Sequence, residues 1–182
     1  MRSTSRSTSE SVGEALMTRL HFTALGLVLL VIGLQATGPA PTNPSFDERA
    51  TLERTTAVPA DVARTFARAC NDCHSNQTNW RWYTYVAPIS WLTVGHVNQG
   101  RAELNFSIWG TYGERMRETR LRAICQQSRD EAMPLPSYVL VHPGAKLSPD
   151  EIRSICEWTA TSSITSQSDS HRSPTRPGRA SR

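Results

Sequence analysis

The sequence has little of what a large soluble core requires. Only 38% of its 182 residues are hydrophobic, and part of that share sits in one short N-terminal stretch. What remains can build a small core and not a large one. No internal repeat appears, and no convincing pair of strands. There is no basic stripe interleaved with aromatics. The net charge is +4, Arg supplies nearly all of the positive side, and the arginines are spread along the chain and into its tails. Nucleic-acid binding is therefore not expected. Cysteine is scarce as well. The four fall into a close pair, Cys70 and Cys73, and two distant singles, Cys125 and Cys156. The singles are too far apart to form a local zinc site. An oxidising compartment would permit a disulfide between them, though spacing alone does not establish the pairing.

What the chain does have begins near its N-terminus. Residues 20–40 carry no Asp, Glu, Lys or Arg, and their strongly apolar part is 22–34 (FTALGLVLLVIGL). The apolar part suits a signal peptide, and the whole uncharged run approaches the ~20 residues that cross a bilayer. Cutting after Gly38 or Ala40 would leave a Pro at the first mature position. The reading is a retained anchor over 19–40, with a cleaved signal as the alternative. Arg2, Arg6 and Arg19 flank the run as a topology signal, so the polar, Ser-rich residues 1–18 are expected to be disordered and cytoplasmic. Met17 offers an alternative start.

Pro39, Pro41 and Pro44 mark a stiff linker over 41–58. A folded domain is expected over 59–161. Its first helix starts at Pro59, with Val62, Phe66 and Ala69 on one face, and delivers the Cys pair at its end. A second helix is expected over 89–99, between Pro88 and the stop signal Gly100. A third covers 113–127. The last has Ser148 as N-cap, Pro149 next and Glu151 completing a capping box. Residues 162–182 have no core-forming side chains and read as a disordered tail. The fold class is all-α, with an N-terminal transmembrane or signal segment.

Residues 70–74, Cys-Asn-Asp-Cys-His, have the form C-x-x-C-H, the attachment motif of c-type haem. Two thiols separated by two residues can each add to one vinyl group on the same edge of a porphyrin, and the next residue presents an imidazole to iron. A thioredoxin-like pair needs a βαβ context that is missing here. His74 is thus the proximal ligand, and one axial position stays open. Candidates for it are Met133, His142 and His96, since such iron takes Met or His. Met133 lies between turns in Met133-Pro134-Leu135-Pro136, and His142 precedes Pro143. His96 sits mid-helix, where a satisfied buried His is the ordinary outcome. Arg101 is a candidate partner for a haem propionate, because a partly buried carboxylate favours a bidentate guanidinium.

The stretches CNDCHSNQTNWRWYTYVAPISWL, HVNQGRAELNFSIW and MPLPSYVLVHPGAKLSPDE resemble the small haem-binding domain of bacterial membrane-anchored c-type cytochromes. The resemblance covers about 43–159, with three blocks in the right order. Arg81 departs from it, standing where such sequences commonly carry Pro. Cys125 and Cys156 lie outside the pattern. The resemblance implies a small cytochrome-c-like helical domain wrapped around haem c, with Cys70 and Cys73 bonded to the porphyrin, His74 proximal and Met133 distal. It also implies an N-terminal anchor and supplies no substrate.

The expected function is electron transfer at the outer face of the bacterial cytoplasmic membrane through a His/Met-ligated iron, a relay rather than an enzyme. The expected partners are redox proteins and, through 20–40, the membrane. The haem domain would face the periplasm, or be secreted there if the segment is cleaved. The alternative is a haem enzyme of peroxidase type, or a gas or redox sensor, with an open or labile sixth iron position.

Overall fold

The computed structural model describes residues 5–172. No strand occurs among the described residues, as the all-α reading requires. The helices are α1 (Ser5–Ala36), α2 (Leu52–Thr55), α3 (Ala60–Ala69), α4 (Asn71–His74), α5 (Ile89–Glu103), α6 (Glu114–Arg129), α7 (Pro136–Val141) and α8 (Pro149–Arg172), joined by short 3-10 turns. The chain divides into two compact units.

One unit comprises Met1–Pro41 with Trp80–Gly95. Within α1 the stretch Leu16–Ala36 is long and apolar enough to cross a membrane, and none of it is buried. A buried soluble-core helix is thereby excluded, and the segment has the character of a membrane span or a signal segment. The helix begins at Ser5, inside the stretch 1–18 expected to be disordered. No proline interrupts 5–36, and once a helix is nucleated each further residue adds a hydrogen bond. The first four residues lie outside the described ones.

The other unit comprises Thr42–Asn79 with His96–Arg182. Its core gathers Leu52, Val62, Phe66, Phe106, Trp109, Leu121, Ile124, Ile155 and Trp158. Helix α3 shows how the pattern works: Val62, Thr65, Phe66 and Ala69 are buried, at helical spacing, while Asp61, Arg64 and Arg68 stay outside. Phe66 stacks on Phe106 at 5.1 Å and meets Trp158 edge-on at 5.5 Å. Both core indoles are satisfied, Trp158 donating to the Ala57 carbonyl and Trp109 to the Thr56 hydroxyl. Each fully buried large side chain contributes about 1.5–3 kcal/mol, enough for a few aromatics to hold a small core.

Helix α8 begins as its capping box requires. The Glu151 N–H donates to the Ser148 hydroxyl, and the Ser148 N–H donates to the Glu151 carboxylate. The same carboxylate pairs with Arg68, tying α8 to α3. A disulfide joins Cys125 of α6 to Cys156 of α8.

Three further boundaries differ from expectation. The segment 41–58, read as a linker, contributes Leu52 to the core with none of its surface exposed. One apolar residue among polar neighbours has no period, so its burial is invisible in sequence. Helix α5 does not stop at Gly100 but continues to Glu103, for a reason that belongs to the functional site. Helix α8 runs to Arg172, beyond the expected start of the tail at 162, because no Gly or Pro intervenes before Pro174. Residues 173–182 of the expected tail lie outside the described ones.

Candidate haem site

Helix α3 ends at Ala69, and Cys70 closes it by donating its N–H to the Phe66 carbonyl. The Cys70 carbonyl then accepts from the N–H groups of Cys73, at 3.1 Å, and His74, at 2.9 Å. Cys70, Cys73 and His74 therefore stand at i, i+3 and i+4 of one helical turn, on a common face. The Ser75 hydroxyl ends the turn by donating to the Asn71 carbonyl. Asp72 braces it from outside: its carboxylate accepts from the Tyr138 hydroxyl at 2.8 Å and the Asn79 N–H at 2.9 Å.

The two thiols are free and half-buried. Burial pushes Cys70 up to about 12, with Cys73 adding to it, and pushes Cys73 up to about 11, with Asp72 adding to it. Neutral, desolvated thiols of this kind are poor dithiol exchange nucleophiles. Among the described residues no group of three or more His, Cys, Asp or Glu is gathered as a bare metal ion would need.

His74 carries the sharpest geometry. Its Nδ1 lies 3.0 Å from the Gly100 carbonyl and 3.0 Å from the Leu104 carbonyl. Both partners can only accept, so Nδ1 bears the proton and Nε2 keeps its lone pair. Burial lowers the His74 pKa, and the two carbonyls partly offset it. A ring held neutral, with its tautomer fixed by backbone carbonyls, is the usual state of a metal-ligating His.

The approach depends on Gly100. A Cβ there would sit 2.7 Å from the Cys73 carbonyl oxygen and 3.2 Å from its Cβ. Only glycine lets α5 come this close to the Cys-Cys-His turn, which is why a glycine stands inside the helix rather than after it. Gly100 and the Leu104 carbonyl were not legible as site elements, although a lone Gly within a helical pattern is the signal that marks such a close approach.

Two adjoining cavities, of about 230 and 310 Å³, share Cys70, His74, Glu103 and Met133 in their walls. The first adds Cys73 and His96; the second adds Phe66, Leu104, Phe106 and Ile124. The structure thus brings Met133 to both cavities beside His74, brings His96 to one, and leaves His142 out of both. The His142 ring instead stacks on Tyr138 at 4.2 Å. A larger, open depression of about 840 Å³ has Thr56, Val62 and Trp158 in its wall but no Cys, His or Met.

Met133 is placed by the end of α6. Glu131 adopts a left-handed conformation, φ 53°. The Ala132 N–H donates to the Gln127 carbonyl at 3.1 Å, and the Glu131 N–H to the Ser128 carbonyl at 3.3 Å. This is a Schellman closure, and the Met133 N–H joins it by donating to the Gln127 carbonyl at 3.1 Å.

Arg101, the expected propionate partner, is engaged by groups of the protein itself. It lines neither cavity. Its guanidinium donates to the Ser75 and Thr42 carbonyls, the Asn43 side-chain oxygen and the Thr78 hydroxyl, all at 2.8–2.9 Å. It holds the loop after the motif to the segment at 42–43. Arg120 is the arginine in the cavity wall, and its Nε is buried without a hydrogen-bond partner. An unmet guanidinium N–H is costly to bury, and a carboxylate at that place would relieve it. Nothing in an amphipathic α6 separates Arg120 from its neighbours in sequence.

A haem fits this donor set. The walls offer two thiols on one face, an imidazole with a free Nε2, a thioether, apolar surface and a guanidinium, seated over the Tyr112 ring, whose buried Nε–H lacks a hydrogen-bond partner. No curated protein and no solved structure matches the chain. A family profile described as a haem-binding domain matches residues 29–161. Most of the chain lies within that match, and the protein belongs to the haem-binding domain family.

Proposed function

We propose that the protein is a c-type cytochrome that carries electrons at the outer face of the bacterial cytoplasmic membrane. Cys70 and Cys73 would hold haem c by thioether bonds, His74 would be its proximal ligand and Met133 its distal one. Bound haem supplies an iron that exchanges one electron between its ferrous and ferric states. The chain's own residues do the rest. The Gly100 and Leu104 carbonyls keep Nδ1 protonated and so present Nε2. Phe66, Phe106 and Ile124 keep water from the pocket. Arg120, rather than Arg101, is the residue with a donor to spare for a propionate.

The observation that carries this reading is the pairing of His74 with Met133 in the walls of the same two cavities. Met ligation raises the potential into a range useful for respiratory relays, and a tether at 19–40 would raise the effective concentration of membrane redox partners. The first test is covalency. The full chain, matured in a periplasm with c-type assembly, should keep its haem through acid–acetone extraction. Cys70→Ser with Cys73→Ser should lose it. Wild-type haem that extracts freely would overturn the c-type reading.

His96, in the wall of the first cavity beside Met133, supports a second reading: an enzyme or gas sensor with a labile sixth position and a nearby base. Rapid carbon monoxide binding by the wild type would favour it.

A further inference from the structure

The residues at 80–92 do something the haem site does not ask of them. Between Asp72 and Arg101 the chain has a single Asp, Glu, Lys or Arg, namely Arg81, and it holds three of the five tryptophans there. Trp82 is 78% exposed and Leu92 57%, and Tyr85, Val86, Ile89 and Trp91 are exposed as well. Six large apolar side chains turned outward within eleven residues form a patch that a soluble surface seldom leaves bare.

What covers it follows from what it is fastened to. Gln35 is the first side chain after the apolar run 22–34 and the last but one of α1. Its amide nitrogen donates to the Tyr85 carbonyl, and its amide oxygen accepts from the Ala87 N–H at 3.0 Å. Both ends of one amide are therefore used on the backbone of this segment. Three residues on, Gly38 meets Trp91 so closely that a Cβ would lie 2.7 Å from the indole Nε1. The segment is thus held at the end of the candidate span, where its apolar run gives way to polar residues. In a spanning helix that position is the water–lipid boundary.

We infer that residues 80–92 form a second membrane foothold, lying in the headgroup interface of the bilayer that α1 enters. Trp and Tyr favour that layer, with their rings against the acyl chains and their N–H and O–H groups toward water and headgroups. Val86, Ile89 and Leu92 add apolar area. Arg81, the segment's single charge, can lay its stem along the lipid and reach a phosphate. A carboxylate on the same surface would oppose anionic lipid, and the segment has none. The ligand is a phospholipid surface.

The inference rests on a retained α1, and the test separates the two. The full-length haem-loaded chain is placed in phosphatidylethanolamine–phosphatidylglycerol vesicles carrying a lipid with a diazirine on its acyl chain. It is irradiated, digested and analysed by mass spectrometry. Lipid adducts are expected on 80–92 as well as on 20–36. In the same vesicles, hydroxyl radicals should oxidise Trp82 no more than the core residue Trp109, which is 1% exposed. Leu92→Glu should remove adducts from 80–92 and leave those on 20–36. Adducts confined to 20–36, with Trp82 freely oxidised, would overturn the foothold and leave the anchor standing. Trp82 protected from radicals in native membranes but without lipid adducts would also overturn it, in favour of a protein partner. A chain whose intact mass lacks α1 would overturn both anchor and foothold.

Discussion

The two sides of the proposed haem pocket are built on different principles. On the His74 side the motif turn is fixed at three places: Nδ1 has two carbonyl acceptors, Asp72 has two donors, and Gly100 lets backbone meet backbone. On the Met133 side only the main chain is fixed, by the closure at the end of α6. The Met side chain is flexible and adaptable. Under the proposed ligation, His74 would be the fixed ligand and Met133 the adjustable one. Iron potential and sixth-site lability would then be governed from the Met133 side.

The largest effect is expected from the disulfide, because α6 ends four residues before Met133 and is stapled to α8. Replacing Cys125 and Cys156 by Ser should lower unfolding stability by about 2–4 kcal/mol. In denaturant melts, carbon monoxide should bind before haem absorbance is lost, since the distal side loosens first. Simultaneous loss would mean that the two sides are one cooperative piece.

Gly100→Ala attacks the other side. The new methyl meets the Cys73 backbone, so α5 or the Cys-Cys-His turn must shift, at about 1–3 kcal/mol for overpacking. That outweighs the gain of up to about 1 kcal/mol in helix propensity from glycine to alanine. Haem yield on maturation should fall while Met133 ligation in the surviving fraction is unchanged. An unaltered yield and melting midpoint would show that the close approach is not needed.

Glu151 gives a smaller, pH-dependent effect away from the haem. Burial works against its carboxylate, but the Ser148 N–H, Arg68 and the Ser148 hydroxyl together hold it below its ordinary value near 4.5. Its contribution to stability is therefore complete above about pH 4.5 and is lost as pH falls through the lower folded value. Glu151→Gln should cost about 1 kcal/mol at neutral pH and flatten that part of the stability profile. An acid limb identical to the wild type would contradict the assignment. The smallest effect is a gain. Glu131 sits where glycine is favoured, and Glu131→Gly should stabilise the chain by about 0.5–1 kcal/mol in chemical denaturation. A loss of stability would mean that the Glu131 side chain contributes more than its backbone strain removes.

How much of this could be read from the sequence divides along the same line. Contiguous features were legible: the Cys-Cys-His turn, the Ser148–Glu151 box, and the buried face of α3 at Val62, Phe66 and Ala69. Each is set by neighbours within one or two helical turns, where spacing and chemistry act together. The rest is assembled across the chain. Leu52 enters the core as a lone apolar residue. Gly100 reads as a helix stop, yet its neighbour across space is Cys73. Arg101 and Arg120 look alike in sequence, and only the fold sends one to the loop at 75–78 and the other to the cavity wall. The short helix α7 begins at Pro136, in a stretch that reads as turns.

The most direct measurement is a set of visible spectra, oxidised, reduced and carbon-monoxide-treated, on the full haem-loaded chain and on Met133→Ala. The wild type should be low-spin and inert to carbon monoxide, and the variant should keep its covalent haem, turn high-spin and bind the gas. A wild type that binds carbon monoxide readily, or a variant indistinguishable from it, would contradict the pairing of His74 with Met133.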